Sequence, residues 1–95
     1  MTSMIVIRAS GLTDRRFRER GPFDLVLANI LLGPLQKLAA PMARLAAPGG
    51  YVVLSGLLTG HVHAALAAYL VQGFVLIRRI ALDGWTTLVL QRPKK

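Results

Sequence analysis

The sequence predicts an α/β domain built on a mostly parallel sheet whose last strand runs antiparallel. Three observations carry this. Short apolar and β-branched runs alternate with segments whose apolar residues fall at helical spacing. Glycine and proline clusters separate these segments. An Asp83-Gly84 pair divides the last two runs, and this dipeptide favours a tight hairpin. Strand, helix, strand, helix, strand, hairpin, strand is the order expected of crossover connections followed by one antiparallel return.

Each element has a local reason. Met4-Ile5-Val6-Ile7 is a short β-branched run ending at Arg8 and reads as a strand. Gly11 to Gly21 is polar and arginine-rich. Pro22 precedes Phe23-Asp24-Leu25-Val26-Leu27-Ala28, a nearly continuous apolar run suited to a strand buried on both faces. Gly33-Pro34 follows, with the proline expected at the first helical position. Leu35, Leu38, Ala39, Met42 and Leu45 continue at helical spacing, and Pro41 should kink or split that helix.

Ala47-Pro48-Gly49-Gly50 reads as a stop and turn, and Tyr51–Gly56 as the next strand. Thr59 is the expected cap of a helix from Gly60 to about Gln72, with Gly73 as its C-terminal glycine. Val62, Ala65, Leu66, Tyr69 and Leu70 make its apolar face. Phe74–Ile80 and Trp85–Leu90 are the last two strands, and a basic tail closes the chain. All 95 residues form one domain.

Composition excludes several classes. The chain is 54% hydrophobic, which is too apolar for a disordered segment. It has no cysteine, so it carries neither disulfides nor thiolate chemistry, in keeping with a reducing cytoplasm. No apolar run reaches the ~18 residues of a membrane span, and no secretory signal is visible. The formal net charge of +8 is uneven: Arg15, Arg16, Arg18 and Arg20 cluster, whereas Leu25 to Ala43 holds only Lys37. Such an excess suits an anionic partner or a solubility role.

In sheets of this kind ligands bind beyond the carboxyl ends of the strands. Two such ends stand out, Asn29-Ile30-Leu31 and Ser55-Gly56-Leu57-Leu58. The segments PFDLVLANILLGPL (Pro22–Leu35), LAAPGGYVVLSGLL (Leu45–Leu58) and GFVLIRRIALDGWTTLVLQRP (Gly73–Pro93) resemble the C-terminal half of the catalytic domain of PrmA. PrmA enzymes are bacterial S-adenosylmethionine-dependent methyltransferases acting on amino groups of ribosomal large-subunit protein eleven. The resemblance covers residues 22–93 well and residues 1–21 poorly. It implies a partial Rossmann-like methyltransferase sheet, truncated at its N-terminal side.

The resemblance also implies roles. Asn29 matches the family's asparagine at the tip of the fourth strand, where methyl donor and target amine meet. A side-chain amide there can accept a hydrogen bond from a neutral amine and aim its lone pair. Asn29, Ile30 and Leu31 would contact the cofactor, and Leu32, Ser55, Gly56 and Leu57 would line the substrate side. By residues alone, Asn29 reads equally as a strand-end group bonding nearby backbone.

The family's glycine-rich cofactor turn and ribose-binding acid have no counterpart. No G-x-G motif exists, and Asp14 and Glu19 lie in the arginine-rich segment. The expectation is therefore a fragment of a protein methyltransferase, inactive alone and unable to hold S-adenosylmethionine well. The alternative is a small basic module that binds RNA or ribosome without catalysis. The implied sheet order is fourth, fifth, seventh, sixth strand, with Trp85–Leu90 inserted between Tyr51–Leu54 and Phe74–Ile80. Two strands beside Phe23–Ala28 would be lacking, leaving a gap of two strand widths of about 4.8 Å. That edge should be covered by Met4–Ile7, by a second copy of the chain, or by the missing N-terminal half.

The remaining features read plainly. His61 and His63 stand two apart at a helix start and point to different faces, so no metal site is expected. Arg15-Arg16-Phe17-Arg18 could touch RNA, but no RNA-binding motif accompanies it, and a solvated loop is favoured. Trp85 is expected to pack at a strand start, and Ser55 lacks the companions of a nucleophile.

Overall fold

The computed structural model describes residues 3–8 and 22–94. The arginine cluster, Asp14 and Glu19 lie outside the described residues. The elements are β1 (Met4–Arg8), β2 (Phe23–Asn29), α1 (Leu32–Lys37), α2 (Ala39–Leu45), β3 (Ala46–Leu58), a short 3₁₀ turn (Thr59–His61), α3 (Val62–Val71), β4 (Val75–Leu82) and β5 (Trp85–Gln91).

One five-stranded sheet has the order β1-β2-β3-β5-β4. β1, β2 and β3 are parallel, and β5 runs antiparallel to both β3 and β4. The expected insertion of β5 between β3 and β4 is therefore observed. The hairpin follows from Asp83 and Gly84, both at positive φ (51° and 80°), as a two-residue hairpin turn of the primed type requires. β1 lies against β2 with Ile5 opposite Val26 and Ile7 opposite Ala28. It leaves no gap there.

The core lies between one face of the sheet and the helices. Ile7, Val26, Ala28, Val52, Leu54, Leu88 and Leu90 point from the strands into a cluster with Leu35, Ala39, Met42, Leu45, Val62, Ala65 and Tyr69. The steps from β2 to β3 and from β3 to β4 run in the same direction across the sheet. Right-handed crossovers then put their helices on the same face. The Tyr69 hydroxyl, buried between α3 and α1, donates to the Leu35 carbonyl at 2.9 Å.

Several local expectations need correction. α1 begins at Leu32, so Pro34 is its third residue and not its first. The whole first turn tolerates proline, because its N–H groups have no partner within the helix. The helix splits as Pro41 requires, but at Leu38, one turn earlier, where the backbone leaves the helix at ψ −4°. Pro41 then sits in the first turn of α2.

β3 starts at Ala46, before the glycines, with a register shift between Phe23 and Leu25 of its neighbour. Thr59 makes no side-chain cap; its hydroxyl meets that of Thr86 at 3.2 Å, and its N–H donates to the Gly84 carbonyl. α3 does end at Gly73, where the Gly73 and Phe74 N–H groups bond the Leu70 and Tyr69 carbonyls. Leu70 faces solvent, not the core. Trp85 begins β5 but is more than half exposed.

Candidate functional site at the strand ends

The carboxyl ends of β1, β2 and β3 form an open cleft of about 620 Å³ lined by Val6, Arg8, Leu27, Ala28, Asn29 and Ser55. Its size falls within the range of small-molecule sites. Period-two alternation explains the lining. Val6 and Arg8 are opposite Leu27 and Asn29 in the β1–β2 register, so all four project from the same side of the sheet. Ser55, one residue beyond Leu54, projects to that side as well, while Leu54 goes into the core.

Asn29 ends β2 with its side chain exposed. Two neighbours define its position. Ser55 Oγ donates a long bond of 3.4 Å to the carbonyl of Ala28, tying β3 to the residue just before Asn29. Gly56, at φ 75°, presents bare backbone to the amide, with the place of a β-carbon 2.8 Å from Asn29 Oδ1. The cleft thus offers an amide, a hydroxyl and the Arg8 guanidinium above an apolar floor of Val6 and Leu27.

Of the residues singled out by sequence, Asn29, Ser55 and Gly56 come together here. Ile30 and Leu57 point into the core, at 5% and 2% exposure, because alternation sends them to the opposite side. Leu31 is 79% exposed beyond the strand end, and Leu32 packs against the core at the start of α1. Val6, Arg8 and Leu27 line the cleft without having been singled out. Leu27 was reachable as the residue two before Asn29; Val6 and Arg8 depended on β1 lying beside β2. No group of three or more histidines and carboxylates that could hold a metal occurs among the described residues.

The fold and the strand-end cleft define a piece of a Rossmann-like methyltransferase sheet. A ribosomal protein L11 methylase from Lactobacillus delbrueckii subsp. bulgaricus superimposes with a TM-score of 0.72 at 26% identity, over 77% of this chain and 38% of that one. A Methanococcus jannaschii fibrillarin pre-rRNA processing protein shares the fold, with a TM-score of 0.67 at 10% identity over 97% of this chain and 56% of its own.

The particular family is named by sequence. Residues 2–93 match the family described as ribosomal protein L11 methyltransferase (PrmA), and the chain belongs to it. A ribosomal protein L11 methyltransferase from Bradyrhizobium diazoefficiens is 53% identical over 87 residues, covering 92% of this chain and 30% of that protein. Its namesake from Rhodopseudomonas palustris is 45% identical over 86 residues, covering 90% of this chain and 29% of its own. The chain spans about 30% of the length of the curated relatives it matches.

Proposed function

We propose that this chain carries the target-amine side of an S-adenosylmethionine-dependent methyltransferase site, acting on amino groups of ribosomal protein L11 together with the rest of such an enzyme. Family membership supports the reaction class. The single observation that carries the site is Asn29, exposed at the tip of β2 and flanked by Arg8, Ser55 and Gly56.

The chemistry that Asn29 can perform is positional. Methyl transfer needs a neutral amine whose lone pair points at the methyl carbon. Asn29 Oδ1 accepts a hydrogen bond from an amine N–H, and the lone pair then points away from the amide. A fixed approach of this kind replaces a bimolecular search by a near-attack geometry. The extra proton of the methylated amine leaves to water. Val6 and Leu27 give the cleft an apolar floor that disfavours a charged ammonium and favours the reactive neutral amine.

The cofactor supplies the methyl group, and the described residues do not fit it by themselves. Arg8 is the one charged group lining the cleft, and no carboxylate faces it to take ribose hydroxyls. Asp24 is held at the opposite end of β2, where it bonds Ser3, and Asp83 lies in the hairpin.

The test joins this chain to the part of the Bradyrhizobium relative outside the matched region and follows methylation of L11 by mass spectrometry. Asn29→Ala should lower kcat at least 100-fold while the KM for S-adenosylmethionine changes less than 5-fold. Full activity in that variant overturns the assignment.

A further inference from the structure

The sheet has one packed face and one bare face. The bare face carries Met4, Val6 and Arg8 of β1, Leu25, Leu27 and Asn29 of β2, and Tyr51, Val53 and Ser55 of β3, aligned by register across the three strands. It continues through Val89 of β5, opposite Val53, and Arg78 of β4, opposite Val89. None of these side chains belongs to the core cluster or packs against it, and Met4, Val6 and Tyr51 are exposed. α1, α2 and α3 all pack on the other side. Parallel strands that are apolar on both faces normally have both faces covered.

We propose that this bare face is a docking surface for the part of a family methyltransferase chain that this sequence does not span, and that the docked part forms the second wall of the Asn29 cleft. Three observations select that occupant over a second copy of this chain. The first is the cleft itself, whose lining comes almost entirely from the bare face. A cover laid on Met4, Val6, Leu25 and Tyr51 therefore borders Arg8, Asn29 and Ser55.

The second is length. Relatives up to 53% identical carry about 30% of their length here, and the superimposed methylase has 62% of its chain without a counterpart. The third is charge. Arg8 and Arg78 flank the apolar centre, and the chain carries +8 overall. A second copy would bring the same cations, whereas a cover that is apolar at its centre and acidic at its flanks complements both. The clause about the second wall rests on the reading of Asn29 as a site residue; the docking itself does not.

The test co-expresses the tagged chain with the part of the Bradyrhizobium diazoefficiens relative outside the matched region, then measures co-purification, mass by light scattering and affinity by titration. A one-to-one complex is expected. Val53→Lys and Tyr51→Lys should each weaken it at least 10-fold with far-UV circular dichroism unchanged. Val71→Lys, at a position 82% exposed on α3 away from the sheet, should change affinity less than 2-fold. Tyr51 is already exposed, so its replacement keeps the test valid if Val53→Lys unfolds the chain.

Failure of the two pieces to co-purify overturns the proposal. So does equal weakening by Val71→Lys and Tyr51→Lys, or a dimer of this chain alone that Tyr51→Lys dissociates. Association is the readout, so a complex that forms and methylates equally well with Asn29→Ala overturns the catalytic reading and leaves the docking surface standing.

Discussion

Gly56 stands so close to Asn29 that a methyl group on its α-carbon would lie 2.8 Å from Asn29 Oδ1. The backbone there is at φ 75°, in the left-handed region that L side chains rarely adopt. Closeness and conformation together make glycine the residue that lets the amide rest against β3. Gly56→Ala should cost about 1–2 kcal/mol from backbone strain alone and should displace the Asn29 side chain. Thermal unfolding and the Asn29 side-chain amide resonances check both effects. Gly60→Ala, where nothing lies within 4 Å of a β-carbon, is the control and should move neither.

Tyr69 links α3 to α1 through its bond to the Leu35 carbonyl. Burial pushes its phenol well above the ordinary range. In the unfolded chain the phenol ionises near pH ~10, while the folded chain keeps its proton. Above that pH the unfolded state binds fewer protons, so this contribution to stability is full below about pH 10 and falls as pH rises through the folded value. Tyr69→Phe should cost about 1 kcal/mol at neutral pH and flatten the loss between pH 9 and 11. Urea unfolding of both proteins across that range reads the difference.

β1 protects the edge of β2, a strand whose Val26 and Ala28 are fully buried. Ile7 anchors β1 in the core from the position opposite Ala28. Ile7→Asp places a carboxylate where no partner reaches it and should release β1. The β2 amides should then exchange at least 100-fold faster, with higher-order association as the exposed edge pairs. Exchange rates in β2 equal to those of the parent chain would show that β1 contributes nothing to that edge.

What could be read from the sequence was local. The hairpin was legible because Asp83-Gly84 is a pair that accepts two positive φ values. The β2 run was legible because it is apolar on both faces, and the split helix because Pro41 forbids continuity. The limits of α1 and β3 were not legible, since proline fits anywhere in a first helical turn and the Pro48–Gly50 bend stays paired as part of a long strand. In the cleft, Asn29, Ser55 and Gly56 were legible as strand ends. Ile30 and Leu57 were misplaced because strand alternation was not applied past the last regular residue. Arg8 was out of reach, because its place beside Asn29 is fixed by which strand pairs with β2, a tertiary choice.

The isolated chain should bind S-adenosylmethionine with a dissociation constant weaker than ~10 μM, about −7 kcal/mol. The ligand is a cation at sulfur with two ribose hydroxyls and an amino-acid tail. Tight binding therefore needs carboxylate acceptors for the hydroxyls and walls that exclude water on both sides. The cleft offers one wall, a guanidinium that repels the sulfonium, and an amide and a hydroxyl that each supply at most a neutral hydrogen bond. Neutral bonds of this kind contribute about 0.5–1.5 kcal/mol net. Against them stands the loss of translational and rotational freedom, at least ~4 kcal/mol. Arg8→Ala should therefore improve affinity slightly, because a repulsion is removed and no ribose acceptor is lost. Calorimetry on the parent chain and on Arg8→Ala measures both. A parent-chain constant at or below ~10 μM, or a loss of affinity in Arg8→Ala, would mean that the described cleft holds the ligand by contacts other than those lining it.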